Sequence, residues 1–175
     1  MEGRTERLAQ QEKGLAVIIM GSDADLDHSQ KIAGTLKMFD VPCEIRVASA
    51  HKSIEHLLLI LDEYNHRNKL VYIAVAGRSN ALGGLIDANT QKPVISAPPY
   101  SDKFAGVDIY SSLRMPSGIG ATVAAEPEIA ALAAAKIFAL NDPLLAARVL
   151  EYQRRSTEKV LDADRRISKL NQQMI

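Results

Sequence analysis

Residues 15–20 read LAVIIM, six apolar side chains in a row with Gly21 immediately behind them. A strand with one wet face alternates apolar and polar residues. A short unbroken apolar run bounded by glycine fits a strand buried on both faces, as in a parallel sheet covered by helices. Downstream of this run, GSDADLDHSQKIAGTLKMFD (21–40) has apolar positions at Ile32, Leu36 and Phe39 that suit a helix, ended by Asp40 and Pro42. CEIRVA (43–48) predicts a second strand, and SIEHLLLILDEYNHR (53–67) a helix opened by Ser53. LVYIAVAG (70–77) is a third strand, and RSNALGGLIDANT (78–90) a loop feeding a short helix. KPVISAP (92–98) is a fourth strand.

The segment 99–120, PYSDKFAGVDIYSSLRMPSGIG, has no long period and is expected as a long loop around one short helix. ATVAA (121–125) suggests a short fifth strand. EPEIAALAAAKIFAL (126–140) and DPLLAARVLEYQRRSTEKVLDADRRI (142–167) are helices with proline in the first turn, where its missing N–H costs nothing. Strands alternating with helices predict an open parallel α/β sheet with right-handed crossovers. Residues 1–14 are expected to form a flexible N-terminal tail, and 15–175 a single α/β domain. The last helix, at about 39 Å for some 26 residues, is longer than the body beneath it needs. Part of it is expected to pack on a neighbouring subunit.

Composition narrows the function. Among 175 residues, 21 Lys and Arg balance 21 Asp and Glu, and aromatics are few. That is neither the basic excess nor the stacking platform of a nucleic-acid binder, so none is expected as partner. Cys43 is the sole cysteine, which excludes an internal disulfide and a Cys-ligated cluster, and its strand-like surroundings suggest a core thiol. No run approaches the roughly 20 apolar residues of a membrane span, and the opening MEGRTERLAQQEKG lacks a signal-type apolar core. A soluble, cytoplasmic protein is the expectation.

In an open parallel sheet, ligands bind beyond the carboxyl ends of the strands. Those ends carry MGSDAD (20–25), ASAHKS (48–53), AGRSN (76–80) and SAPPYSD (96–102). Small residues let the backbone approach a ligand, and helix-opening N–H groups suit a phosphate. Ser22, Ser49 and Ser53 add hydroxyls, while Lys52 and Arg78 add positive charge. The sum is a polar cleft for a small phosphorylated molecule. The first segment has one glycine and no GK[ST], so neither the dinucleotide G-x-G-x-x-G turn nor a Walker loop is present. His51 is the best general acid or base, since free imidazole titrates at about 6.5 and carries protons both ways near neutrality. The alternative for His51 is a solvated loop histidine. Asp25 either caps the first helix or faces sugar hydroxyls. Arg114, in SSLRMPSG, is either a surface arginine or a contact of the site. His28 lies on the first helix, exposed or behind the site. The scattered histidines make no metal triad, and no G-x-S-x-G elbow occurs.

Taken in order, GSDADLDH, SAHKS, VAGRSNALGG, PVISAPPYSD and SSLRMPSGIG resemble the phosphoribosylaminoimidazole carboxylase catalytic family, over roughly residues 15–165. Combined with the alternation above, the expected fold is a three-layer α/β/α, flavodoxin-like sheet with a long C-terminal helix. One branch of the family is a mutase with SAHR and an Ala-His-Leu-Pro-Gly run. The other works directly on CO2, and SAHK, GRSN and SSLRMPSG resemble that animal-like, class II branch. The resemblance implies reversible carboxylation of 5-aminoimidazole ribonucleotide by CO2 in purine biosynthesis, with no ATP, metal, biotin or other cofactor. It implies His51 as catalytic residue, Ser22 and Asp25 around ribose and base, and Ser49 and Lys52 on the phosphate side. It assigns Arg78, Ser79 and Asn80 to the carboxylate or CO2 pocket, with Ser111 and Arg114 from the second signature. It further implies a homo-octamer, with a tetramer as the alternative. The family commonly has G-S-x-S-D where this chain has Ala24, one hydroxyl fewer for a phosphate. The rival readings are the mutase and a ribonucleotide-binding homologue that has lost catalysis.

Overall fold

In the computed structural model, which describes residues 13–173, LAVIIM is the second strand of a five-stranded parallel sheet. The strands are β1 (Leu15–Met20), β2 (Cys43–Val47), β3 (Leu70–Val75), β4 (Val94–Ser96) and β5 (Thr122–Val123). The helices are α1 (Leu26–Met38), α2 (Ile54–Asn65), α3 (Ala81–Ala88), α4 (Tyr110–Leu113), α5 (Pro127–Ala139) and α6 (Pro143–Gln173). Sheet order is β2-β1-β3-β4-β5, the flavodoxin-like arrangement in which the chain reverses direction across β1 and β3. Ile18 lies opposite both Ile45 and Ile73, so three strands bury the same level of the sheet.

Continuous apolar strands make two cores. Ala16, Ile18 and Met20 face Ile32, Leu36 and the alanines of α5 (Ala130, Ala131, Ala134, Ala135). Leu15, Val17 and Ile19 face Leu57, Ile60 and Leu61 of α2 and Leu82 and Ile86 of α3. This alternation is the period of two expected of a strand wetted on neither face. The alanine face of α5 lets that helix lie close against the sheet and α1. In α3, the close approach falls at Gly83, where an added Cβ would stand 2.1 Å from Ser96 Oγ of β4.

Several local expectations are corrected. The last helix runs to Gln173, 31 residues and about 46 Å, because RRISKLNQQ contains no breaker. Asp142 Oδ1 caps it by accepting the Leu145 N–H at 3.0 Å. Asp25 and Ser53 both sit at N-cap positions without making the side-chain cap bond. Cys43 is half-buried at the edge strand rather than fully in the core, and burial pushes its thiol up. Residues 1–12 of the expected tail lie outside the described residues. Of its last two, Lys13 pairs with Asp40 at 3.0 Å and Gly14 lies against the Phe138 ring.

Candidate active site

The parallel ladder continues one residue beyond each strand. Gly21 N–H donates to Val75 O at 2.9 Å, Ala48 N–H to Met20 O at 3.0 Å and Ala97 N–H to Ala74 O at 2.8 Å. The carboxyl ends of β1 to β4 therefore stop side by side, and their loops leave from one edge.

After β1 the chain makes a single 3-10 turn, Asp23–Asp25, before α1. Ser22 Oγ donates to Asp25 Oδ2 at 3.5 Å, and Ser29 Oγ donates to Asp25 O at 3.0 Å. Burial pushes the Asp25 carboxyl above its ordinary range, opposed by Ser22 and by the charges of His28 and Arg78. Asp25 thus bonds to Ser22 at the end of β1 and makes no side-chain cap bond to α1.

After β2 a tight turn carries His51. Ser53 Oγ accepts the Ser49 N–H at 2.9 Å, and this back-bond is why Ser53 leaves α2 uncapped. Ser49 Oγ accepts the N–H groups of His51 and Lys52, each at 3.3 Å. With two donors satisfied, the Ser49 hydroxyl keeps its own proton to donate outward. Backbone bonds fix the turn, while the His51 and Lys52 side chains stand exposed.

The loop after β3 is locked to a segment far along the chain. Arg78 has φ 59°, a left-handed backbone that glycine usually supplies, held at an expense of about 1–3 kcal/mol. Its N–H donates to Asp108 Oδ2 at 2.8 Å. Asn80 is buried: its N–H donates to Ser111 Oγ at 3.0 Å, Nδ2 donates to Ser112 Oγ at 2.8 Å, and Oδ1 caps α3 at the Gly83 N–H. Ser111 Oγ also lies 2.8 Å from Asp108 O and 3.2 Å from Arg78 O. Asn80 and Ser111, both expected at a ligand, hold the loop through these bonds. Arg78 and Ser79 are exposed, as is Arg114 at the end of α4, and no hydrogen bond joins Arg114 to the others.

A cavity of about 470 Å³ opens between α1, the 98–109 segment and the start of α5. Its walls include His28, Lys31, Pro99, Tyr100, Asp108 and Glu126. Of the four strand-end motifs only SAPPYSD lines it, through Pro98, Pro99 and Tyr100; none of Ser22, Asp25, Ser49, His51, Lys52, Arg78, Ser79 or Asn80 does, but it touches that cluster through Asp108 and through His28, neighbour of Asp25. His28 is half-buried, its Nε2 enclosed with no hydrogen-bond partner among the described residues. Sequence reasoning missed Asp108, which lies in a stretch with no period to mark it, and did not single out Ser112 within SSLRMPSG. Among the described residues, no group of three or more His, Cys, Asp or Glu is placed to hold a metal ion. Among the same residues, no helix is long and apolar enough to cross a membrane.

With that geometry in place, the likenesses to known proteins are specific. Residues 15–159 match the family described as AIR carboxylase. The chain is 53% identical over 149 residues to a phosphoribosylaminoimidazole carboxylase of Archaeoglobus fulgidus, covering 85% of this chain and 82% of that protein. It is 47% identical over 157 residues to one of Treponema denticola, covering 89% and 98% respectively. The crystal structure of Treponema denticola PurE superposes with a TM-score of 0.86 at 46% identity, covering 88% of this chain and 98% of that one.

Proposed function

This chain belongs to the AIR carboxylase family, and on that premise we propose that it carboxylates 5-aminoimidazole ribonucleotide at C4 with CO2, reversibly, within cytoplasmic purine biosynthesis. The observation that carries this reading is the bonding of GRSN to SSLRMPSG, the two signatures of the CO2-using branch, through Asn80, Ser111 and Ser112. A pair of motifs that fold onto each other at the strand ends forms one wall of a site.

The chemistry asks little of a cofactor. The aminoimidazole ring is an enamine, so C4 can attack the carbon of CO2, forming the new C–C bond and leaving C4 bearing both its proton and the carboxylate. Removing that proton restores aromaticity; in reverse, protonating C4 lets CO2 leave. His51 transfers this proton, and the bonds from Ser49 hold its backbone while the imidazole remains free to reach the ring. Lys52 and the Ser49 hydroxyl serve the phosphate, whose binding energy anchors the ring at a distance from the reacting carbon. Ser22 and Asp25 serve the ribose and base. Arg78, with Ser79, stabilises the carboxylate as its charge develops. Arg114 adds a second cation from the SSLRMPSG stretch. Ala24, exposed in the 3-10 turn, leaves the phosphate to backbone N–H groups at that point and weakens its binding.

His51 is exposed in one chain, whereas weakly bound CO2 needs a dry pocket. Residues 15–175 therefore act as one catalytic unit within a homo-octamer, where another copy covers the imidazole. The test is incubation of the purified protein with 5-aminoimidazole ribonucleotide and bicarbonate, without ATP or a partner synthetase. A C4-carboxylated product is expected. Turnover of the N5-carboxylated ribonucleotide alone would make the chain a mutase, and binding without turnover would make it a catalytically silent homologue.

A further inference from the structure

Arg78 occupies a left-handed backbone, φ 59°, that an arginine does not adopt unaided. Such a conformation persists only where surrounding groups over-determine it. The group that does so here is Asp108, whose Oδ2 accepts the Arg78 N–H at 2.8 Å across 30 residues of chain. The same carboxylate oxygen would lie 3.7 Å from a Cβ placed on Gly77, so the loop rests directly against it. Asp108 is itself half-buried in the one-turn 3-10 helix Val107–Ile109, preceded by Ala105 and Gly106, both left-handed. Ser111 closes the brace from the next turn, accepting the Asn80 N–H at 3.0 Å. Neither Asp108 nor any other residue of 103–109 belongs to the motifs that carry the family resemblance.

We propose that Asp108 is a positioning residue: its carboxylate holds Arg78 in the left-handed conformation that presents the guanidinium to the site. This deepens the carboxylase reading and rests on it, since it gives the fixed Arg78 a purpose at the developing carboxylate. The role is that of a hydrogen-bond acceptor, which an amide oxygen can also fill. Asn should therefore replace Asp108 with little loss, and Ala should not.

The experiment combines steady-state kinetics of the ATP-free reaction with hydrogen exchange of the peptide spanning residues 77–80, in wild type, Asp108→Asn and Asp108→Ala. Expected for Asp108→Ala is faster exchange of that peptide and a kcat lowered about tenfold to a hundredfold, with KM for the ribonucleotide moved far less. Expected for Asp108→Asn is wild-type exchange and a kcat within about threefold of wild type. Wild-type kcat and exchange in Asp108→Ala would overturn the proposal. So would Asp108→Asn with intact protection but the alanine variant's kcat, which would place the negative charge, not the geometry, in the mechanism. If Asp108→Ala fails to fold, Ser111→Ala takes its place: it removes the second brace, and unchanged exchange and kcat would count against the proposal. Were the wild type itself to show no carboxylation, the function would fall, while the exchange measurement would still decide whether Asp108 fixes the loop.

Discussion

His28 shows how burial of one titratable side chain reaches the stability of the chain. It is half-buried on α1 among Asp25, Glu126 and Lys31, and burial pushes its imidazole below the ordinary value of 6.5, against the pull of Asp25 and Glu126. At pH above 6.5 the group is neutral folded or unfolded and contributes nothing. As pH falls through 6.5, the unfolded chain takes up a proton that the folded chain resists, so stability drops until the folded imidazole also titrates. Replacing it with glutamine removes this component. Thermal melts of wild type and His28→Gln between about pH 7.5 and 5.5 should therefore diverge in favour of the variant as pH falls. Parallel curves would show that His28 is not held neutral by its surroundings. The position of His51 in the turn after β2 was legible from the end of CEIRVA. His28 was noticed, but its burial depends on α1 meeting the 98–109 segment, which periodicity does not show. Asp25 and Ser53 were legible as helix-opening residues; their partners were not, because each bonds to its own loop.

At the level of elements, the strands were readable because a doubly covered strand needs an unbroken apolar run, and LAVIIM and LVYIAV supply it. ATVAA was harder: only Thr122 and Val123 pair, since β5 is an edge of two residues. The long segment 99–120 was readable only as a loop around one short helix, which α4 supplies. Its order comes from bonds to the β3 loop, a tertiary return without a local pattern. The α3–β4 contact makes a sharper statement. A methyl added at Gly83 would meet Ser96 Oγ at 2.1 Å, and that buried hydroxyl has no hydrogen-bond partner among the described residues. Gly83→Ala alone should cost about 1–3 kcal/mol through overpacking. In a Ser96→Ala background the remaining contacts, at 3.4 and 3.7 Å, are ordinary. The double variant should then melt at or above the temperature of Ser96→Ala, because alanine is the better helix former. Additive loss in the double variant would contradict this packing.

For the whole molecule, α6 poses the question of what covers it. Leu145 and Val149 are buried, and Tyr152 packs edge-on to Phe39 with ring centroids 5.1 Å apart. Beyond that point Val160, Ile167 and Leu170 are exposed on a helical spacing that makes one apolar stripe, and Leu161 is exposed off that stripe. A second copy of the chain is the cover the proposed octamer supplies. Removing residues 157–175 should leave the melting transition of the α/β body nearly intact while lowering the mass seen by light scattering. An unchanged assembly would move the contact elsewhere. The sequence revealed this helix as too long for one body but ended it early, since its final residues lack apolar weight without lacking helix propensity.

The account rests on one imidazole moving a proton at a ring carbon beside CO2. Its most direct test is turnover by His51→Ala in both directions, carboxylation with bicarbonate and release of CO2 from the 4-carboxy ribonucleotide, with ATP omitted and ribonucleotide binding measured in parallel. The expected result is a fall in kcat of about a hundredfold or more in each direction with binding nearly preserved. Turnover at the wild-type rate by the folded variant would contradict the mechanism.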